Sequence, residues 1–313
     1  MRNILYYWDG GPAASTGLQR AWTLARNCGA ILTVAGVLDR LPKELLRLAP
    51  SQGLSRLVEL AAEEMRERIL RAIAQLDGPP RMAQIKVLEG RMPERLLAAV
   101  EEGGYGLVVL NAPRRGVFRN WFSKDVPLLL MRACPVPVMG LRGGDRPRAN
   151  RILAAVNAAA SSRSGASLSR AVLEWAADLA WAGDARLHVV YCWNLAGEEL
   201  LTSRGGLPRR RYLQMLLRER RQARSELRAL MDQCNLSGLD VAVHLQKGEA
   251  RESIPELAAV LQADLLVMGM PARPGIRRFL FGNLAEDVIR AVDCPIVAVP
   301  TGGCERPERR RAA

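Results

Sequence analysis

The chain of 313 residues is 49% hydrophobic and 25% charged, which is typical of a folded globular protein long enough for two domains. No apolar run approaches the roughly 18–20 residues of a membrane span, and its six cysteines form no CxxC pair that would favour a zinc or dithiol site. The net charge is +13 and comes almost entirely from arginine, since only four lysines are present.

The chain begins with MRNILYYWDGG, which we interpret as a first strand that ends in Asp9. This segment lacks the long apolar region and the small-residue cleavage site of a secretory signal. We therefore expect a cytoplasmic protein.

An internal duplication organises the rest of the sequence. Four segments of the first half match segments of the second half in the same order, starting with NILYYWDGG at 3–11 against RILAAVNAA at 151–159. The others are 30–40 against 185–194, 85–111 against 243–269, and 133–141 against 293–301. The polar stretch RGGDRPRAN between the copies has linker composition. We predict domains at 1–143 and 149–303, followed by a basic, disordered tail at 304–313.

Each copy alternates short apolar runs with longer helical patterns. The runs LLVMG (265–269) and PIVAV (295–299) are apolar almost throughout, which indicates a parallel sheet covered on both faces. Right-handed crossovers between such strands give a doubly wound α/β fold. The sequence therefore predicts two tandem Rossmann-like domains, each with a five-stranded parallel sheet.

Two helices of the second copy are well defined by their patterns. Residues 164–183 carry an apolar stripe that includes Leu168 and Val172, with Ser162 and Ser164 as candidate N-caps. Residues 208–238 read as a long basic helix that ends at a glycine. His188 and His244 lie in apparent strands, where we expect core or strand-face residues rather than catalytic bases.

Much of the positive charge is local. The segment 204–228 contains nine arginines and two glutamates. Such a surplus attracts nucleic acid, anionic lipid or acidic proteins, but the interpretation we favour is a solvated helix face. Because no nucleic-acid motif accompanies the arginines, we expect no nucleic-acid partner, and the lack of a long apolar run predicts no membrane partner.

The stretch 265–297 is the most informative of the chain. It reads as a strand that ends at Gly269, a loop, a helix that opens at Gly282 and Asn283, and a further strand. A helix start offers unpaired N–H groups and a partial positive charge, both of which favour phosphate. The loop has neither the Walker pattern nor GxGxxG.

These features together resemble the universal stress protein family. They are the first strand ending in Asp or Asn, the turns that start at Gly90 and Gly248, the glycines of the second-copy loop, and a last strand that begins at Cys-Pro. The resemblance covers about residues 3–301. The tandem arrangement and the Gly-Asn helix start are similar to the universal stress protein E type.

In the nucleotide-binding branch of that family, the loop runs Gly, two residues, Gly, nine residues, Gly, then Ser or Thr. Two of these four positions are kept here, and alanine and asparagine replace the other two. The family's acidic residue after the first strand falls on an asparagine. By resemblance, the ligand-binding candidates are Asn157, Gly248, Gly269, Ala272, Gly282 and Asn283.

The first copy departs further from the family pattern. Asn111 takes the place of the first loop glycine and Arg114 the place of the second, whereas Asp9 keeps the family's acidic residue. Without the glycines we expect no phosphate cradle there, and the first copy is predicted to be degenerate.

The resemblance implies a non-enzymatic stress-response protein with a role in resistance to stress such as DNA damage. ATP, another adenine nucleotide or another small anionic ligand would bind the second domain, with no catalytic residue and no metal. The two domains are expected to pack as an intramolecular pseudo-dimer, and a homodimer is a further option. The alternatives are an ATP-binding protein with weak ATPase or autokinase activity, and a basic binder of nucleic acid or acidic partners.

Overall fold

The structure is a computed structural model that describes residues 3–39, 51–77, 83–112, 126–142, 149–160, 162–198, 208–270 and 284–302. The described residues form two compact units, which we call unit 1 (residues up to 142) and unit 2 (149–302). The predicted tail at 304–313 lies outside the described residues.

Unit 1 is an α/β unit with a five-stranded parallel sheet. Its strands are β1 (Asn3–Trp8), β2 (Ile31–Leu38), β3 (Ala83–Glu89), β4 (Leu107–Ala112) and β5 (Val138–Arg142). Its described helices are α1 (Ala14–Cys28), α2 (Ser51–Ala74), α3 (Glu94–Gly103) and α4 (Val126–Ala133). The strand order is β3-β2-β1-β4-β5, with every neighbouring pair parallel.

Unit 2 repeats this design. Its strands are β6 (Arg151–Ala155), β7 (Arg186–Trp193), β8 (Val241–Lys247), β9 (Leu265–Met270) and β10 (Ile296–Pro300). Its described helices are α5 (Arg163–Gly183), α6 (Arg209–Asp232), α7 (Ala250–Val260) and α8 (Leu284–Ala291). The strand order is β8-β7-β6-β9-β10, again parallel throughout. The predicted fold class is confirmed.

The strand order creates a crevice in each unit. From the first strand of a unit the chain crosses to one side to form the second and third strands, and later to the other side to form the fourth and fifth. Connections on the two sides of such a switch point diverge, so a crevice opens at the carboxyl ends of the two central strands. In unit 2 that point lies between β6 and β9.

Helix α5 covers this crevice and begins as predicted. Ser162 is the N-cap, and its Oγ accepts a hydrogen bond from the N–H of Gly165 at 3.1 Å. Asp184 closes the helix in the left-handed region with φ of 51°. The apolar stripe at helical spacing, including Val172, Trp175 and Leu179, is buried. The cap and the stripe thus fix both the start of α5 and the face that packs on the sheet.

Helix α6 is shorter than the sequence predicted. It ends at Asp232, six residues before Gly238. Beyond that point Asn235 accepts a hydrogen bond from the N–H of Ser237 at 3.1 Å, and Leu239 closes a turn onto Leu236. Asparagine side chains compete with helical hydrogen bonds in this way, so the predicted end at 238 was wrong.

The two predicted turns have the same backbone conformation, which glycine adopts most readily. Gly90 and Gly248 both have φ of 140°, a conformation that residues with a side chain rarely adopt. The N–H of Gly248 donates to the carbonyl of Trp193 at 3.1 Å, which ties the end of β8 to the end of β7. The turn therefore fixes the position at which α7 starts.

Candidate functional site

A cavity of about 280 Å³ opens at the carboxyl ends of β6, β7 and β9 in unit 2. Its lining is mostly apolar and comes from the strands, α5, α7 and the first residues of α8. The described lining residues are Ala155, Val156, Asn157, Leu168, Ser169, Val172, Val190, Tyr191, Cys192, Ala250, Ile254, Met268, Gly269, Leu284 and Ala285. Among these side chains only those of Tyr191 and Cys192 can ionise.

Asn157 stands at the point where β6 ends and is held there by Ser169 of α5. Its N–H donates to Ser169 Oγ at 3.2 Å, and Ser169 Oγ donates to its carbonyl oxygen at 2.9 Å. Ser169 is buried and Asn157 is exposed, so the pair satisfies both backbone groups of Asn157 where the end of β6 meets solvent. This arrangement fixes the backbone of Asn157 at the rim of the cavity.

Gly269 lies inside β9 rather than at its end, because the strand continues to Met270. A Cβ at this position would come within 2.7 Å of Leu168 Cδ2 and within 2.8 Å of Leu168 Cγ. No real Cβ makes so close a contact, so the glycine allows Leu168 of α5 to lie directly on the strand. The glycine therefore shapes the cavity wall through close packing.

The two other polar lining residues are held in their protonated forms. Burial, followed by the carboxylate of Glu226, raises the pKa of Tyr191 to about 12, and its hydroxyl donates to Glu226 Oε2 at 3.1 Å. Burial raises the pKa of the Cys192 thiol to about 11, although a hydrogen bond with Ser253 works in the opposite direction. A protonated buried thiol is a poor nucleophile. The described lining is thus uncharged at neutral pH.

The first residues of α8 border the cavity on another side. Leu284 and Ala285 line it, so the N-terminus of this eight-residue helix faces the same space. A helix N-terminus carries unpaired N–H groups and a partial positive charge. Glu286 and Asp287 in the first turn already place negative charge there.

The six predicted ligand-binding residues divide into three groups. Asn157 and Gly269 both line the cavity. Gly248 does not belong to its described lining and serves the turn after β8. Ala272, Gly282 and Asn283 lie outside the described residues. Their assignment to a ligand site stays a prediction.

In unit 1 the corresponding place is crossed by a hydrogen-bond network. The hydroxyl of Tyr6 donates to the carbonyl of Ala14 at 2.7 Å, and Asn111 Nδ2 donates to Tyr6 Oη at 3.1 Å and to Asp9 Oδ2 at 3.3 Å. A Cβ at Gly17 of α1 would come within 2.3 Å of Asn111 Oδ1. The side chains of β1 and β4 therefore fill the space next to α1.

The two histidines form a pair on neighbouring strands of unit 2, away from the cavity lining. His188 Nδ1 and His244 Nε2 are 2.9 Å apart, and the two rings are stacked. Burial is the largest cause that lowers the pKa of both; the charge of Arg186 lowers both further, and their mutual interaction lowers that of His188. Both lie in strands, as predicted.

Two classes of feature are absent from the described part of the chain. No group of three or more His, Cys, Asp and Glu side chains there could hold a metal ion. None of the helices in that part has both the length and the hydrophobicity needed to cross a bilayer.

A family model, the universal stress protein family, matches the chain twice, at residues 1–142 and 149–300. Together the two matches account for almost the whole sequence. The chain belongs to the universal stress protein family.

Curated relatives of the universal stress protein E type match most of the chain. The universal stress protein E homolog of Haemophilus influenzae is 26% identical over 64% of this chain and 63% of its own length, just under two thirds. Universal stress protein E of Escherichia coli K12 is 25% identical over 72% of this chain and 70% of its own length. The recognition of the tandem E type is confirmed at this level of similarity.

Solved structures of universal stress proteins share the fold. A universal stress protein from Archaeoglobus fulgidus covers 96% of this chain with a TM-score of 0.67 at 15% identity. A protein of unknown function from Pseudomonas aeruginosa PAO1 covers 96% with a TM-score of 0.65 at 20% identity. A universal stress protein solved in complex with cAMP covers 49% with a TM-score of 0.32. The cAMP is a ligand of that neighbour.

Sequence reasoning missed several residues that shape the site. Ser169 anchors Asn157, and Leu168 packs on Gly269. The apolar stripe had marked Leu168 as a core residue of α5, yet it also borders the cavity. Ser169 is a small polar residue next to that stripe, and this position could have indicated a contact with the end of β6.

Proposed function

We propose that this universal stress protein is a non-enzymatic sensor in which the unit 2 cavity binds an adenine nucleotide. The observation that carries the proposal is the position of the cavity at the switch point of a doubly wound sheet, between β6 and β9. Ligands of open α/β sheets bind at this point.

The size and lining of the cavity favour a nucleobase with its sugar. About 280 Å³ is just below the roughly 300–1,000 Å³ typical of small-molecule sites. Apolar side chains such as Val172 and Ile254 suit the faces of a purine ring, while Asn157 offers a polar edge. A larger cofactor such as a dinucleotide would exceed this volume.

The phosphates would lie toward the start of α8. Leu284 and Ala285 bring that helix N-terminus to the cavity, and a helix N-terminus stabilises anions. Gly282 and Asn283 immediately precede it in the sequence, where the family carries its phosphate-binding residues. Their role in binding is part of the proposal.

A sensing role agrees with the chemistry of the described lining. It contains no carboxylate, no histidine and no lysine, and its thiol is held protonated. General acid–base catalysis needs a group that titrates near the working pH. We propose that ligand occupancy signals stress, in the cytoplasm, in a pathway of resistance that includes DNA damage; the stress role rests on family membership.

The test is native mass spectrometry of the purified chain with added ATP, on the parent and on Ala155→Tyr. Ala155 lines the cavity, so a tyrosine there would occupy the space of the ligand. The parent should retain the nucleotide and the variant should lose it.

The matched control introduces the same side chain at an exposed position of unit 2, Val260→Tyr, where Val260 is 79% exposed. This variant should bind as the parent does. No adenylate on the parent, or equal binding to Ala155→Tyr, would contradict the proposal.

A further inference from the structure

The outer surface of α6 carries an arginine stripe that no described contact of unit 2 explains. Positions three or four residues apart share one face of a helix. Six residues follow this spacing along α6, namely Arg210, Leu213, Leu217, Arg221, Arg224 and Arg228. All six are exposed, whereas Ala223, Leu227 and Leu230 face the protein.

Two leucines stand exposed in the N-terminal half of this face. Leu213 is 47% exposed and Leu217 is 50% exposed, one turn apart. Arginines flank them on both sides, with Arg209 and Arg220 on one side and Arg210 on the other. A centre of apolar side chains with arginine on both flanks is the pattern of a helix that lies in the plane of a membrane surface.

Two of the three acidic residues of α6 lie off this face, whereas the exposed Asp232 lies at its C-terminal end, four residues after Arg228. Glu226 accepts the hydrogen bond of Tyr191 and Glu219 is half-buried. Within the described part of the chain, the α6 arginines take part in no ion pair. Their charge is therefore available to an anionic surface.

Although the sequence predicted no membrane partner, we propose that the α6 face binds the surface of an anionic lipid bilayer. The helix has 24 residues, about 36 Å at 1.5 Å per residue, so it presents an extended row of guanidinium groups to lipid phosphates. Leu213 and Leu217 enter the boundary between headgroups and acyl chains. Each arginine near such a surface contributes about a fivefold gain in partitioning.

Lipid suits this face better than the other anionic partners do. The grooves of a nucleic acid offer hydrogen-bonding edges and few apolar groups, so two exposed leucines at the centre of the contact would find little to pack against. A second copy of this chain would place one arginine stripe against another, and like charges repel.

The experiment measures cosedimentation of the full chain with vesicles of equal parts phosphatidylglycerol and phosphatidylcholine, and with vesicles of phosphatidylcholine alone. Only the anionic vesicles should retain the parent. The triple variant Arg210→Gln, Arg221→Gln, Arg224→Gln should lose about 100-fold in partition coefficient, following the fivefold factor for each charge. Leu213→Ser with Leu217→Ser should lose about tenfold, because the apolar anchors are gone.

The matched control removes the same charge elsewhere, with Arg26→Gln, Arg66→Gln and Arg91→Gln, all exposed residues of unit 1. It should bind as the parent does, and an equal loss would overturn the proposal in favour of net charge alone. Failure of the parent to bind would overturn it directly.

Nucleic acid is tested in parallel with a duplex DNA retention assay. If the arginine variant lost DNA binding and vesicle binding alike while the leucine variant lost neither, the face would be a general polyanion surface and the proposal would be wrong. Leu213→Gln with Leu217→Gln repeats the leucine test if the serine variant has a lowered melting temperature. The experiment is independent of the nucleotide proposal, since it involves no cavity residue.

Discussion

The same place in the two units is built with opposite choices of side-chain size. In unit 1 a glycine on the helix, Gly17, faces Asn111 on the strand; in unit 2 Leu168 on the helix faces Gly269 on the strand. Asn111 and Gly269 occupy matching positions of the duplicated sequence. The unit 1 arrangement directs polar groups into the crevice, whereas the unit 2 arrangement lines it with apolar surface.

The first strands differ in the same sense. Tyr6 and Tyr7 of β1 match Ala154 and Ala155 of β6. Burial, followed by the carboxylates of Asp9 and Asp39, raises the pKa of Tyr7. Because tyrosine takes the space that alanine leaves open, one duplicated fold yields a side-chain network in unit 1 and a cavity in unit 2.

Gly269→Asn should have the largest effect, because it places the unit 1 residue into unit 2 against Leu168. We expect a loss of about 3 kcal/mol in the free energy of unfolding, typical of overpacking, measured by chemical denaturation. Adding Leu168→Ala should recover part of this loss by removing the atoms that clash. Equal stability of the parent and Gly269→Asn would show that the small–large exchange does not shape the site.

Ser169→Ala should cost about 1.5 kcal/mol, since it removes two part-buried hydrogen bonds to the backbone of Asn157. Ser167→Ala is the matched control on the same helix, because Ser167 is exposed. Its free energy of unfolding should stay within about 0.5 kcal/mol of the parent. A loss of equal size in both variants would contradict the role of Ser169.

Tyr6→Phe should cost about 1 kcal/mol through loss of the hydroxyl that links Ala14 and Asn111. The control is Tyr105→Phe in the same unit, whose hydroxyl makes no hydrogen bond within the described part of the chain. Thermal unfolding of the two variants separates them. If Tyr6→Phe were neutral, the network would not be what holds the unit 1 crevice together.

The smallest effect concerns pH. In the folded state burial holds the pKa of His188 and His244 below the ordinary value, so the unfolded chain binds protons first as the pH falls below about 6.5. Stability supplied by this pair is thus present above that pH and declines below it. Arg151, Arg186 and Asp240 are the other charges that act on His188.

The pH comparison uses His188→Gln with His244→Gln. The double variant removes both histidines of the chain. Unit 1 carries Thr33 and Lys86 at the matching positions. Its free energy of unfolding, measured at pH 7 and pH 5.5, should change less than that of the parent. Identical changes would mean that the pair is not linked to folding.

The sequence predicted the duplication and the alternation of strands with helices. The duplication, the five-stranded parallel sheets and the cap at Ser162 followed from local patterns that tertiary contacts left unchanged. The sequence also predicted that Asn157 and Gly269 lie at the same edge of the sheet, because each lies at the carboxyl end of a central strand.

Contacts between residues far apart in the chain could not be predicted from the sequence. Pairing of His188 with His244 depends on the register of β7 against β8, which no local pattern specifies. The packing of Leu168 on Gly269 depends on how closely α5 approaches β9. The end of α6 was missed because Asn235 forms a side-chain turn before the glycine that seemed to end the helix.

The central claim is the proposal that the described cavity of unit 2 binds a nucleotide. Isothermal titration with ATP on the parent, on Ala155→Tyr and on the mirrored variant Tyr7→Ala tests it most directly. We predict one nucleotide per chain for the parent and for Tyr7→Ala, and none for Ala155→Tyr. Binding that Ala155→Tyr leaves unchanged would contradict the claim.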